Sequence, residues 1–216
     1  GHSHVLALAH PTVKAYDPAY GYEIAVIFKD GLERMFANER PRMIYLTVGN
    51  EKIPMPAMPE GVREGILKGM YRLRGPGIDA DPAGPRAHLL GSGAIVTEAL
   101  RAAELLEQDH GVASEVWSVT SYQALLEDGL ACERHARLNP NEPRRRPYLT
   151  GLLAERPGVV VAASDYSRVL PSSVARWSPS AFVALGTDGF GRSDNRGALR
   201  RFFEVDAEHI AFAALH

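Results

Sequence analysis

The chain has 216 residues, 45% of them hydrophobic and 23% charged, so it can bury a core as one generous domain or two small ones. Lys and Arg number 24 against 26 Asp and Glu, a formal charge of -2, which excludes the polybasic field of a nucleic-acid or anionic-lipid binder. Cys132 is the sole cysteine, which rules out an internal disulfide or a multi-thiolate metal site and suits a reducing cytoplasm. No apolar run reaches the ~20 residues of a membrane helix. The start, Gly1-His2-Ser3-His4, has neither part of a secretory signal and no initiator Met, so the chain is expected to be a processed or excised piece.

In chain order, Pro18, Tyr22, Ala25, Val26, Ile27, Leu32, Met35 and Phe36 predict an amphipathic helix over 18–37, with Asp17 as its N-cap. After the polar stretch Asn38–Arg42, the run 43–48 predicts a buried strand ending at Gly49-Asn50. Pro54, Pro56 and Pro59 force an extended crossing, and helical spacing resumes over 60–71. The Gly- and Pro-rich stretch 75–85 reads as a linker. Downstream, strands at 87–90, 113–119, 159–163 and 181–185 alternate with helices at 94–108, 122–138, 167–177, 195–203 and 207–215. That order predicts an α/β architecture with a mostly parallel sheet covered by helices.

Several segments invite a chemical reading. Gly91-Ser92-Gly93 follows a strand and opens a helix, where a nucleotide's phosphates would sit, but Val96 replaces the third glycine and a structural tight turn is the favoured reading. Cys132 and His135 lie three apart on a helix but lack the companion ligands of a zinc site. Ser164-Asp165 lacks the flanking glycines of a nucleophile elbow and reads as a helix cap. The polar loop Thr187–Asp194 lies at a carboxyl edge where ligands bind, with Asp194 as the cap of the next helix. The arginines in 139–147 read as a surface loop. His2 and His4 have the near-neutral acidity that proton transfer needs.

Three segments carry a family resemblance: Met55-Pro56-Ala57-Met58-Pro59-Glu60-Gly61, Trp117-Ser118-Val119-Thr120-Ser121 and the run Leu185–Asp194. With Tyr16-Asp17-Pro18-Ala19-Tyr20, Asp30–Met35 and Phe203–Ala207 in the same order, the chain resembles the C-terminal part of the homodimeric bacterial pyruvate dehydrogenases, of the transketolase-like superfamily. The resemblance implies the end of a pyrimidine-binding domain at 1–74, a linker at 75–85 and a transketolase C-terminal-like domain at 86–216. It also implies decarboxylation of pyruvate with thiamine diphosphate and Mg2+, and reductive acetylation of lipoyl groups on a dihydrolipoyl acetyltransferase core, by a cytoplasmic homodimer. Gly1-His2-Ser3-His4 then matches a loop lining the active site, which gives the catalytic role to His4, with His2 as second choice. Val48 matches the position of a phosphate-binding arginine in transketolases, in keeping with a small 2-oxo acid.

The glutamate that activates the aminopyrimidine and the motif that holds magnesium and diphosphate have no match here. Ile53 stands where an aromatic is usual, and the family continues beyond His216. The piece is therefore expected to be inactive alone. Two other readings stay open at this point: a non-catalytic dimerisation or interaction module, and a nucleotide-binding α/β protein built on Gly91-Ser92-Gly93.

Overall fold

A computed structural model describes residues 1–37, 43–77 and 84–216; the polar stretch Asn38–Arg42 and positions 78–83 of the linker 75–85 lie outside the described residues. The chain opens with the short helix α1 (Ser3–Ala7) and the strand β1 (Val13–Tyr16), followed by α2 (Gly21–Leu32), which runs into a π-helical turn at Glu33–Ala37. This helix starts later than expected, and Asp17 is not its cap. Glu23 reaches back to accept the backbone N–H groups of Ala19 at 2.5 Å and Tyr20 at 3.0 Å, a capping box that satisfies the first turn and leaves Asp17 to another role. The strand β2 (Met43–Leu46) pairs in parallel with β1, Val13 opposite Met43 through Tyr16 opposite Leu46. It is half-exposed rather than buried, because it borders a sheet of two strands.

Residues 47–62 form neither helix nor strand, as the prolines require. The next helix, α3 (Arg63–Lys68), stops short of the expected Tyr71, because Gly69 takes a left-handed conformation at φ 101° and ends it. The chain then enters an unexpected strand, β3 (Tyr71–Arg74). Beyond the linker come β4 (Arg86–Gly91), α4 (Val96–His110), β5 (Ala113–Ser118) and α5 (Tyr122–Leu138). A helix that periodicity did not reveal, α6 (Tyr148–Leu153), precedes β6 (Val159–Ser164). The helix expected over 167–177 is instead α7 (Val169–Ser172) and a 3-10 turn at Ala175–Trp177; Pro171 brings no N–H to a longer ladder. The strand β7 (Phe182–Gly186) leads to α8 (Arg196–Phe202), capped by Asn195 rather than the expected Asp194, and α9 (Ala207–Leu215), capped by Asp206.

The five-stranded sheet has the order β3-β5-β4-β6-β7, parallel throughout except for antiparallel β3, so the expected α/β class holds. One face packs Leu89, Val116 and Val161 on Ala99, Ala103 and Leu106 of α4 and Ile210 of α9. The other packs Leu90, Trp117 and Val160 on Leu125 of α5, Leu153 of α6 and Leu170 of α7. Burial on both faces explains why these strands read as continuous apolar runs.

Polar stitches join the two sheets. Gln123 accepts the N–H of Ala15 at 2.8 Å and donates to the carbonyl of Val13 at 2.9 Å, so a side chain serves the free edge of β1. Ser121 donates to the Ala15 carbonyl at 2.7 Å, and Thr120 to the Ile66 carbonyl at 2.7 Å. Buried Glu23 accepts hydroxyl protons from Tyr71 and Ser118, both at 2.7 Å, which ties α2 to β3 and β5.

Candidate functional site

The loops that follow β1, β2, β4 and β6 converge at the carboxyl ends of both parallel sheets, where open α/β folds place ligands. They bring Asp17, Thr47, Ser92 and Tyr166 together around His4. The His4 Nε2 lies 3.0 Å from the Thr47 hydroxyl, and that hydroxyl donates to Asp17 Oδ1 at 2.6 Å. The imidazole packs against the rings of Tyr166, 4.5 Å between centroids, and Tyr45, 5.2 Å. The N-terminal segment is anchored by the Gly1 carbonyl, which accepts the Ser167 N–H at 2.9 Å. His4 is therefore held deep in the cleft while His2, two residues earlier, stays exposed.

Burial dominates the electrostatics. It lowers the His4 imidazole to about 4, so the ring is neutral near pH 7. It raises the Asp17 carboxyl to about 7, against the pull of hydrogen bonds from Thr47 and Ser92. Burial also pushes the Tyr166 hydroxyl above its ordinary value, with the Asp17 charge adding to it.

The glycine turn acquires a structural explanation here. Gly93 adopts φ 51°, its N–H donates to the Asp17 carbonyl at 3.0 Å, and a Cβ on it would fall 2.6 Å from either Asp17 carboxyl oxygen. Gly91 lets the first turn of the following helix approach, since its Cβ would meet Val96 Cα at 2.8 Å. Gly93 thus serves close packing on Asp17, and Gly91 close packing of the helix start on β4.

The remaining sequence candidates fall outside this constellation or at its rim. Ser164 does not cap a helix; its Oγ accepts from Ser92 at 3.1 Å and from the Tyr166 N–H at 3.2 Å, behind the site. In the loop Thr187–Asp194, Asp188 accepts from Ser167 Oγ at 3.1 Å and the Arg168 N–H at 3.0 Å, and pairs with the Arg168 guanidinium. The loop borders a cavity of about 300 Å3 lined also by Asn50, Asp165, Arg196 and Arg200. Across that cavity Arg200 bridges Glu51 at 2.6 Å and Glu98 at 2.9 Å. His135 pairs with Glu142 at 3.1 Å, and among the described residues no group of three His, Cys, Asp or Glu is arranged for a metal ion. Asn141–Arg146 is exposed, as a surface loop should be. Asp17, Tyr45, Thr47 and Tyr166 were missed as site residues. The signal that could have found them is their shared place, at or just past the carboxyl end of a parallel strand.

Comparison with known proteins sets this geometry in context. A family model for the transketolase-like TK C-terminal domain matches residues 69–206, and one for the pyruvate dehydrogenase E1 component middle domain matches residues 1–56. The pyruvate dehydrogenase E1 component of Pseudomonas aeruginosa is 45% identical over 216 residues, covering 100% of this chain and 24% of the relative. That of Escherichia coli K12 is 46% identical over 217 residues, with 100% and 24% covered, and that of Mycobacterium tuberculosis 44% over 218 residues, with 100% and 23% covered. The chain thus spans about a quarter of the length of the curated relatives it matches. Among solved structures, transketolase from Leishmania mexicana aligns with TM-score 0.65 at 17% identity over 99% of this chain and 26% of its own. A split-gene transketolase, an inactive beta4 tetramer, aligns with TM-score 0.66 at 21% identity over 99% of this chain and 60% of its own. These two are likenesses of fold. With one family model taking in more than half of its residues, and with its own alternation of parallel strands and covering helices, the chain belongs to the transketolase-like family.

Proposed function

We propose that this chain forms the C-terminal part of a pyruvate dehydrogenase E1 component, which decarboxylates pyruvate with thiamine diphosphate and reductively acetylates lipoyl groups of a dihydrolipoyl acetyltransferase core. The observation that carries the reading is the near-half identity to E1 components along the whole chain, together with a buried neutral His4 at the meeting of two sheets. Under this reading 1–74 closes the pyrimidine-binding domain, 75–85 links, and 86–216 is the C-terminal domain, with β3 lent across to the second sheet. The working enzyme is a homodimer in the bacterial cytoplasm; among the described residues no helix is long and apolar enough to cross a membrane.

The residues present suit one end of the cofactor. Tyr45, Tyr166 and His4 offer a cluster of aromatic rings, set at 60° and 63° to the imidazole, fit for the neighbourhood of the aminopyrimidine and a small 2-oxo acid. Diphosphate and magnesium would be held by residues outside this chain. Thiamine diphosphate, when bound, supplies the nucleophilic carbon and the electron sink for loss of carbon dioxide. This chain's part is to exclude water around His4, hold its ring and let a neutral imidazole exchange a proton with the oxygen that gains charge. Exposed Val48 brings no cation for a sugar phosphate, in keeping with pyruvate as substrate.

In the full-length enzyme, His4→Gln should lower carbon dioxide release from pyruvate by about a hundredfold or more while leaving the fold intact. His2→Gln should change it less than about threefold, since His2 faces solvent. By calorimetry the separate 216-residue chain should not bind thiamine diphosphate with magnesium; tight binding would overturn the division of the site proposed here.

A further inference from the structure

The proton inventory around Thr47 determines which His4 nitrogen is available. A threonine hydroxyl has one proton and two lone pairs. Its two oxygen partners on the β1 side are Asp17 Oδ1 at 2.6 Å and the Tyr16 carbonyl at 3.3 Å, and the structure gives both bonds to the single Thr47 proton. The Tyr16 carbonyl can only accept. With its proton turned to the β1 side, chiefly to Asp17, Thr47 presents a lone pair to His4, and the 3.0 Å contact is closed by an N–H on Nε2.

The arrangement is braced. Gly93 packs directly on the Asp17 carboxyl, and the imidazole is flanked by Tyr45 and Tyr166.

We propose that Thr47 and Asp17 are positioning residues that hold His4 as its Nε2–H tautomer, leaving Nδ1 as the nitrogen that exchanges a proton with the substrate. The proposal rests on the reading of His4 as catalytic. Nδ1 takes a proton from water, giving an imidazolium whose charge an ionised Asp17 balances through Thr47; that N–H bond then breaks as an O–H bond forms at the pyruvate oxygen that gains charge, which returns the imidazole to its neutral form with no redox partner involved. A relay of this kind orients and stabilises the imidazole without itself touching substrate.

The test uses the full-length enzyme labelled with 15N-histidine, the His4 signals being assigned by their loss in His4→Gln. The wild type and Thr47→Ser should show one protonated and one lone-pair nitrogen, with the proton on Nε2. Thr47→Val keeps the shape and removes the hydroxyl; it should give averaged tautomers and a kcat lower by about tenfold or more with KM within about twofold. Thr47→Ser should restore most of that kcat. Asp17→Asn probes the same relay from its other end and should displace the pH–rate profile even if Thr47→Val folds poorly. An unchanged tautomer and kcat in Thr47→Val, or in Asp17→Asn where the first variant is unfolded, would overturn the relay. If the tautomer responds as stated but His4→Gln retains full activity, the relay stands and the catalytic reading of His4 falls.

Discussion

Asp17 and His4 are pushed from their ordinary acidities in opposite senses by the same desolvation, and this gives them opposing effects on stability. Asp17 rises from 3.8 to about 7; burial is the largest cause, the Asp165 and Glu23 charges add to it, and Thr47 and Ser92 oppose it. Between about pH 4 and pH 7 the native state therefore holds a proton that the unfolded chain has lost, and Asp17 makes stability fall as pH rises through that window. His4 falls from 6.5 to about 4, so its native form binds less proton than the unfolded form, and stability falls as pH drops through its window. The two slopes largely cancel from about pH 4 to pH 6.5. Urea midpoints across that range should rise with pH more steeply than wild type in Asp17→Asn and less steeply, or downward, in His4→Gln. Profiles parallel to wild type in both variants would contradict the burial of these groups. At this scale His4 was singled out through the family resemblance of Gly1-His2-Ser3-His4, and Asp17 was read only as a helix cap. Its sequence context, an aspartate before Pro18, looks the same whether the carboxyl caps a helix or turns into a cleft.

At the scale of elements, long helices and buried strands were readable because each carries one period and a clear stop. The helix Tyr122–Leu138 was expected with those limits, and Gly111 ends α4 as a left-handed terminus. Short elements were not: β3 and α6 have four and six residues, too few to display a period. The Trp117–Ser121 motif stood out without revealing its purpose. In the structure it is a strip of stitches: Trp117 donates to His88 Nδ1 at 3.2 Å, Ser118 to Glu23, Thr120 to Ile66 and Ser121 to Ala15. Glu23 is the acceptor at which α2, β3 and β5 meet. Glu23→Ala would strand two hydroxyls and two backbone donors and should cost about 3–5 kcal/mol in chemical denaturation. Tyr71→Phe, which removes one of those donors, should cost about 1 kcal/mol. Equal, small losses in the two would show that Glu23 is not the shared acceptor.

For the molecule as a whole, the α/β class followed from alternation, but the docking of two sheets through polar side chains did not, since such contacts join residues about a hundred positions apart. Arg200 belongs to the same class of contact. With 11% of its side chain exposed, it joins Glu51, in the proline-bearing loop after β2, to Glu98 on α4; burial works against its charge, and the carboxylates around it outweigh that and keep it a cation. Arg200→Met would leave the two acids facing each other and should cost about 2–4 kcal/mol. The same variant should speed proteolytic cleavage within 47–62, because Arg200 is a tether of that loop to the larger sheet. A cleavage rate equal to wild type would mean that the prolines and apolar contacts hold the loop unaided.

Gly93 gives the phosphate-like turn an internal neighbour. A strand, a glycine turn and a helix are the makings of an anion cradle. In this chain the space against the turn is filled from within, by the carboxyl of Asp17, at a distance that no side chain on residue 93 would permit. The protein carries its own occupant for that seat, and that occupant reaches the histidine through Thr47. A methyl group at position 93 would therefore act on proton transfer from behind, by evicting an acid rather than by obstructing a ligand.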